Sequence, residues 1–208
     1  MSRRRLEVSL ALWRRRHRWN ERKRAKARER GNHDAAYRYG KRLGECVRMI
    51  ERRKKQLQDL KPLRERAYEQ AVRSIGVMEQ GGNNRGREVE KLIAKGGGQA
   101  GDPWCGWFMA AVYRLAGSKT VDWRWGAVRL LYPLTGIRRV SNPERGDLVR
   151  FTFDHVGMFV ADHGNEIETI EGNTGASGAV SDSKTGGDGV YRKRRSKNLV
   201  NDYLRVTR

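Results

Sequence analysis

Residues 101–117, GDPWCGWFMAAVYRLAG, are the stretch on which the reading of this chain turns. Asp102 is placed to cap a helix whose first residue is Pro103, where the missing proline N–H costs nothing. Cys105 then falls in the first turn, where unpaired backbone N–H groups and the helix dipole favour a thiolate. Trp107, Phe108, Ala111, Val112 and Leu115 recur at helical spacing and form an inward face. Gly117 is a suitable stop. A lone cysteine is equally at home as a buried, inert thiol, so its meaning depends on what surrounds it.

Downstream, the pattern changes to strands from Asn142-Pro143. DLVRFTF (147–153), HVGMFVA (155–161) and EIETIE (166–171) alternate or run apolar at strand length, divided by turn residues such as Asp154 and Gly164-Asn165. GASGAVSDSKTGGDG (175–189) reads as a Gly/Ser-rich loop, and GVYRK and YLRVT as closing strands. Upstream, LRERAYEQAVRSIGVM (63–78) reads as a helix with Ala67, Ala71, Val72, Ile75 and Met78 on one side. The loop GGNNRG leads to a short helix, REVEKLIAK, that Gly96-Gly97-Gly98 ends. Residues 120–136 are aromatic and helical only in part. Helices first and antiparallel strands afterwards predict an α+β domain over 63–208.

Residues 1–61 are of another character. Leu6, Leu10, Trp13 and His17 make one narrow stripe, and Ala36, Leu43, Ile50 and Leu57 recur every seven residues. Gly31-Asn32 separates them, with Asp34 as the expected cap, so a basic antiparallel helical hairpin is predicted. Of the formal net charge of +21, most lies here: residues 1–66 carry 24 Lys/Arg against 8 Asp/Glu, and the remainder 21 against 16. Such an arm suits a polyanion, whether anionic cell-wall polymer, membrane surface or nucleic acid. RRRHRWNERKRAKARER would suit phosphate contacts, but no zinc-finger spacing or RNA-binding signature accompanies it, so nucleic acid is the less favoured partner. A solvated hairpin with no ligand is an equal reading. Cys46, near the apolar seam, is expected to be packed.

PWCGWFMAAVYRLAG, GDLVRF, HVGMFV and IETIEGN, in this order, resemble the CHAP amidases and endopeptidases of the papain-like NlpC/P60 group. The resemblance covers roughly residues 67–208 and leaves out the hairpin. It implies a papain-like α+β fold and cleavage of an amide bond in cell-wall peptide. Many members are bacteriophage or bacterial peptidoglycan hydrolases, so an endolysin or tail-associated lysin is the implied type. Cys105 would be the nucleophile and His155 the acid and base. Glu171 and Asn173, the Glu-x-Asn pair, would orient the ring, Glu171 more firmly. The Cys105 N–H would serve the oxyanion, with Gln99 as a further amide donor. Trp104 and Trp107 flank the nucleophile as candidate groove residues, although Trp107 suits the core equally. Trp123 and Trp125 are placed to border a cleft or to pack. His163, beside Gly164-Asn165, reads as a turn residue. Some relatives of this type carry an Asp-rich calcium loop ahead of the cysteine; GGNNRG offers few carboxylates, so no metal or other cofactor is expected.

Two cysteines in segments of different character argue against a disulfide framework. The start, MSRRRLEVSLALWRRR, has an apolar stretch interrupted by Glu7 and stopped by Arg14, which does not make a signal peptide. No run approaches the length of a membrane span. A wall-active protein of this kind would be made in the host cytoplasm and released by another factor, or carried on a phage particle. Two other readings stand beside the enzyme: a catalytically idle CHAP-like binding or structural protein of a phage particle, and nucleic-acid binding through the arm.

Overall fold

A computed structural model describes residues 2–175 and 187–207. The chain divides into two compact units, Met1–Pro62 and Leu63–Arg208. The first is a pair of antiparallel helices, α1 (Arg3–Glu29) and α2 (His33–Asp59). Ser2 caps α1, its hydroxyl accepting from the Arg5 N–H. Asn32, not Asp34, caps α2: its side-chain oxygen accepts from the Ala35 N–H at 2.9 Å, and Asp34 lies in the first turn, where its charge still suits the dipole. Gly31, at φ +68°, supplies the left-handed residue the reversal needs.

The seam of the hairpin is thin. Leu6, Leu10, Ala27, Ala36 and Cys46 are buried, whereas Val8, Leu12, Trp19 and Tyr37 remain exposed. Asn20 is buried among them and donates to the Arg16 carbonyl at 2.9 Å and toward the Cys46 sulfur at 3.8 Å. Cationic side chains fold back over the aromatic rings, Arg16 on Trp13, Lys23 on Trp19 and Lys41 on Tyr37. No helix among the described residues is long and apolar enough to cross a membrane.

The second unit is α+β. It begins with α3 (Leu63–Ser74), α4 (Arg87–Gly96) and α5 (Cys105–Leu115), passes through two short 3-10 turns (Trp123–Gly126 and Val128–Leu130), and ends in a six-stranded sheet. The strands are β1 (Ile137–Val140), β2 (Leu148–Phe151), β3 (Val156–His163), β4 (Glu166–Thr174), β5 (Gly189–Ser196) and β6 (Val200–Val206). Their order across the sheet is β1-β6-β2-β3-β4-β5, and every neighbouring pair is antiparallel. The expected Gly/Ser-rich loop falls largely outside the described residues.

Helix α5 is the centre of the core. Phe108, Met109, Ala110, Ala111, Val112 and Tyr113 are all fully buried, the condition of a helix enclosed on every side rather than lying on a surface. Leu115, expected on the inward face, is exposed at its end. Val156, Met158, Ile170 and Leu204 of the sheet pack into the same cluster as α5. The alternate residues Val149, Phe151, Phe159 and Ile167 form a second cluster on the opposite face.

Three expectations are corrected. α3 stops at Ser74 because Gly76 turns to φ +89°; the chain then extends beside β5, with Val77 accepting from the Val190 N–H at 2.9 Å. Val72, Ile75 and Met78 are therefore exposed, and only Ala67 and Ala71 of that stripe are buried. The cap of α5 is Trp104, with no side-chain bond, so Asp102 does not cap and Pro103 lies outside the helix. Asp102 instead accepts from the Gln99 N–H at 2.8 Å and closes the preceding turn. Strand β1, IRRV, escaped the pattern because two arginines face solvent in a four-residue edge strand.

Phe108 carries the contact between α5 and the sheet. Phe108→Ala is expected to lower unfolding free energy by about 3–5 kcal/mol. Urea denaturation is the measurement; a loss under about 1 kcal/mol would show that this contact is not central.

Candidate active site

Cys105 is the first residue of α5. Its backbone N–H has no intrahelical acceptor and points out of the helix end. Gly106 follows because no side chain fits there: a Cβ would stand 2.1 Å from the Trp125 carbonyl oxygen. The helix start is thereby pressed against the 3-10 turn that carries Trp125.

His155 lies one residue ahead of β3, at the end of a tight turn. Its carbonyl accepts from the Phe151 N–H at 3.1 Å, and its own N–H donates to Phe153 at 2.6 Å. The turn stacks three rings: Phe151 on Phe153 at 5.2 Å and 12°, and Phe153 on His155 at 5.8 Å and 12°. On one side the imidazole meets Glu171, with Nε2 to Oε2 at 2.9 Å. On the other side the Cys105 thiol is near enough to favour the ring's protonated form. With Nε2 committed to Glu171, Nδ1 is the nitrogen left to face the sulfur.

Glu171 is fully buried and has further partners. Thr169 donates to Oε1 at 2.6 Å, and Arg195 clamps both oxygens, Nε to Oε1 at 3.0 Å and Nη2 to Oε2 at 2.7 Å. Arg195 is itself buried, with its guanidinium over the rings of Phe151 and Phe153 at 5.6 and 5.7 Å. Gly157 makes the space, since a Cβ there would stand 2.7 Å from Glu171 Cγ.

The electrostatics follow. Burial resists a charge on His155, but the hydrogen bonds and charges of Cys105 and Glu171 outweigh it and push the imidazole up to about 10. Burial likewise resists ionisation of Glu171, and His155 and Arg195 overcome it, holding the carboxyl well below the usual carboxylate range. The site is therefore built to hold an imidazolium between a carboxylate and a sulfur at neutral pH.

The structure brings Cys105, His155 and Glu171 together and gives Asn173 a different place. Asn173 lies in the irregular stretch of β4 at φ 55°, a left-handed conformation that asparagine tolerates. With its amide set to satisfy both neighbours, it accepts from the Trp104 N–H at 3.1 Å and donates to the Gly187 carbonyl at 3.0 Å. It thus tethers the helix start that carries Cys105, while Glu171 orients His155.

Trp104 is fully buried and donates to Glu79 at 2.8 Å, so it is a core residue and not a groove wall. Trp107 is half-buried, its ring laid against Gly98 and Gly126, where added Cβ atoms would come within 2.5 and 2.2 Å. Gln99 is exposed, and its backbone N–H and carbonyl both bond Asp102, at 2.8 and 3.0 Å. Trp125 is buried against Tyr113, while Trp123 is exposed. His163 reaches Glu168 at 3.5 Å at the turn end of β3. Among the described residues no group of three or more His, Cys, Asp or Glu side chains converges as metal ligands would.

Comparison of the chain with protein-family models, curated proteins and solved structures gave no match. The site stands on its own geometry.

Arg195 and Thr169 were not singled out by sequence. RKRRS reads as a solvated basic run, but period-two alternation puts Lys193 and Arg195 on one face of β5, and both are buried.

A raised His155 pKa stabilises the fold fully below the ordinary histidine value and loses that contribution as pH rises through about 10. Nitrogen NMR of His155 is expected to show a titration near 10, shifted clearly lower in Glu171→Gln. An unchanged midpoint in that variant would mean that Glu171 does not hold the charge.

Proposed function

We propose that residues 63–208 form a cysteine-dependent amide hydrolase with a papain-like arrangement of the CHAP type, acting on peptidoglycan. The observation that carries this reading is the buried Cys105–His155–Glu171 chain, with the cysteine at a helix start. The choice of peptidoglycan rests on the resemblance of the four motifs.

In the proposed reaction the Cys105 thiolate attacks the amide carbonyl carbon. The carbonyl π pair moves to oxygen, and the outward N–H of Cys105 stabilises the oxyanion. As the C–N bond breaks, His155 gives the Nδ1 proton to the departing amine, leaving an acyl thioester. A water then attacks the thioester with neutral His155 taking its proton. Collapse expels the thiolate, releases a carboxylate product and restores the imidazolium. Glu171 holds the ring in one orientation through both steps and balances its charge.

Whether the bond is the muramoyl–alanine amide or one within the peptide or cross-bridge, the chemistry is the same. The proposed setting is a phage lysin that reaches the wall on release by another factor or on a particle. Cys105→Ala is expected to reduce solubilisation of purified walls at least a thousandfold while leaving circular dichroism unchanged. Undiminished lysis by that variant would remove the proposal. A protein that only binds walls predicts no soluble fragments from either form, so mass spectrometry of the supernatant separates the two.

For the hairpin we propose electrostatic attachment to an anionic wall polymer or membrane surface. The support is the density of Arg and Lys over α1, whose apolar seam leaves the cationic side chains outward. Deleting residues 1–61 is expected to weaken adsorption to cells at low salt, the deficit shrinking as salt is raised toward 0.5 M. Equal adsorption of both forms at low salt would make the hairpin structural.

A further inference from the structure

A pocket of about 400 Å³ opens between Val128–Arg129 and the 150–154 segment. Both walls lead to the reactive groups. Thr152, Phe153 and Asp154 run directly into His155, and Phe153 stacks on its ring. Val128 follows the 3-10 turn whose Trp125 carbonyl presses on Gly106, the residue after Cys105. The pocket thus borders the aromatic turn that carries His155.

The pocket has a cationic floor. Arg150 is nearly enclosed and fixed by three bonds: Nε and Nη2 to Asp202 at 3.0 and 2.7 Å, and Nη1 to the Arg129 carbonyl at 3.2 Å. Asp202 does not neutralise it fully, because the same carboxylate is shared with Arg139 at 2.9 Å. The bond from Arg150 Nη1 to the Arg129 carbonyl also fixes the backbone of Arg129. The Arg129 side chain is exposed at the mouth, and among the described residues no acceptor engages its guanidinium. Of the residues lining the pocket, Arg129 and Arg150 are cationic and Asp154 is anionic, so the lining carries one positive charge in excess, and Asp202 behind Arg150 is shared with Arg139.

We infer that this pocket is a subsite for a free carboxylate of the peptide substrate, with Arg129 as the residue that grips it and Arg150 as the fixed charge behind. The inference rests on the proposed function for its substrate class. A guanidinium recognises a carboxylate through paired N–H donors, and peptidoglycan stem peptides carry several carboxylates on which such a group can act. The volume suits one or two amino-acid residues rather than a sugar chain. Arg129 would then set which stem peptides are accepted without taking part in bond cleavage.

The test uses the full chain with Cys105→Ala, so that bound peptide is not consumed. Stem pentapeptides whose carboxylates are amidated one at a time are titrated by calorimetry, with Arg129 present and as Arg129→Gln. One amidation is expected to weaken binding about tenfold when Arg129 is present, and to make no difference in Arg129→Gln. Equal affinity for every acid and amide form, discrimination that survives in Arg129→Gln, or no binding at millimolar peptide would each overturn the inference. Thermal melting of Arg129→Gln, expected to match the parent because the side chain is exposed, excludes misfolding as the cause.

Hydrolysis of the same peptides by the protein with Cys105 intact separates the two claims. Cleavage without carboxylate discrimination removes the subsite and leaves the hydrolase. Discrimination in binding with no cleavage removes the hydrolase and leaves the subsite.

Discussion

The carboxylate of Glu171 is the constraint around which the second unit is arranged. A charge with no exposure to water is expensive unless it is fully met. Here four donors meet it: His155, Thr169 and two nitrogens of Arg195. Removing Arg195 would break a buried ion pair, a loss of about 3–5 kcal/mol, whereas removing the Thr169 hydroxyl would cost one hydrogen bond to a charge, about 1.5–3 kcal/mol. A well-packed apolar substitute for the whole group would cost less, so stability alone does not explain it. The arrangement holds a positive imidazole next to a sulfur, and that is a chemical property rather than a structural one.

Glycine decides how closely the parts approach. At Gly106 the start of α5 meets the Trp125 backbone, and at Gly157 β3 yields room to Glu171. At Gly172 a Cβ would stand 2.7 Å from the Phe108 ring. Two of these lie beside residues of the Cys–His–Glu set, and Gly172 sits between Glu171 and Asn173. Strand β4 therefore acts twice. Glu171 orients the histidine from one face, while Asn173, turned by its left-handed backbone, holds the N–H of Trp104 just before Cys105. One strand end fixes both sides of the reactive pair, which is why a Glu-x-Asn spacing does what a single polar residue would not.

Much of this was legible. Among the described residues, five of the six strands and all five helices follow from periodicity and turn residues, because alternation and helical stripes report directly on which face is buried. The Cys105, His155 and Glu171 set is proposed from the resemblance of the four motifs, and the fold brings the three side chains together. What could not be read falls where long-range contacts override local pattern. Arg195 sits in a basic run that looks solvated, and only its register in β5, opposite Ile167, turns it inward. Trp104 looked like a groove residue from its place beside Cys105, yet its partner Glu79 is distant in sequence. Asp102 has the form of a cap, but the turn at Gln99 takes its carboxylate first.

The aromatic turn ahead of His155 links the catalytic geometry to the pocket beside it. Phe151 and Phe153 stack with the imidazole and lie under the Arg195 guanidinium, so ring and cation share one apolar support. Phe151 belongs to strand β2, where the preceding residue, Arg150, is paired with Asp202 of β6. The β2–β6 register shifts between Arg150 and Phe151, and both residues line the pocket. The register of β2 against β6 therefore sets where Arg150 sits in the pocket and where the aromatic support sits beneath His155. The pocket wall at Arg150 and the support of the imidazole are held by the same strand pairing, so neither can move without the other.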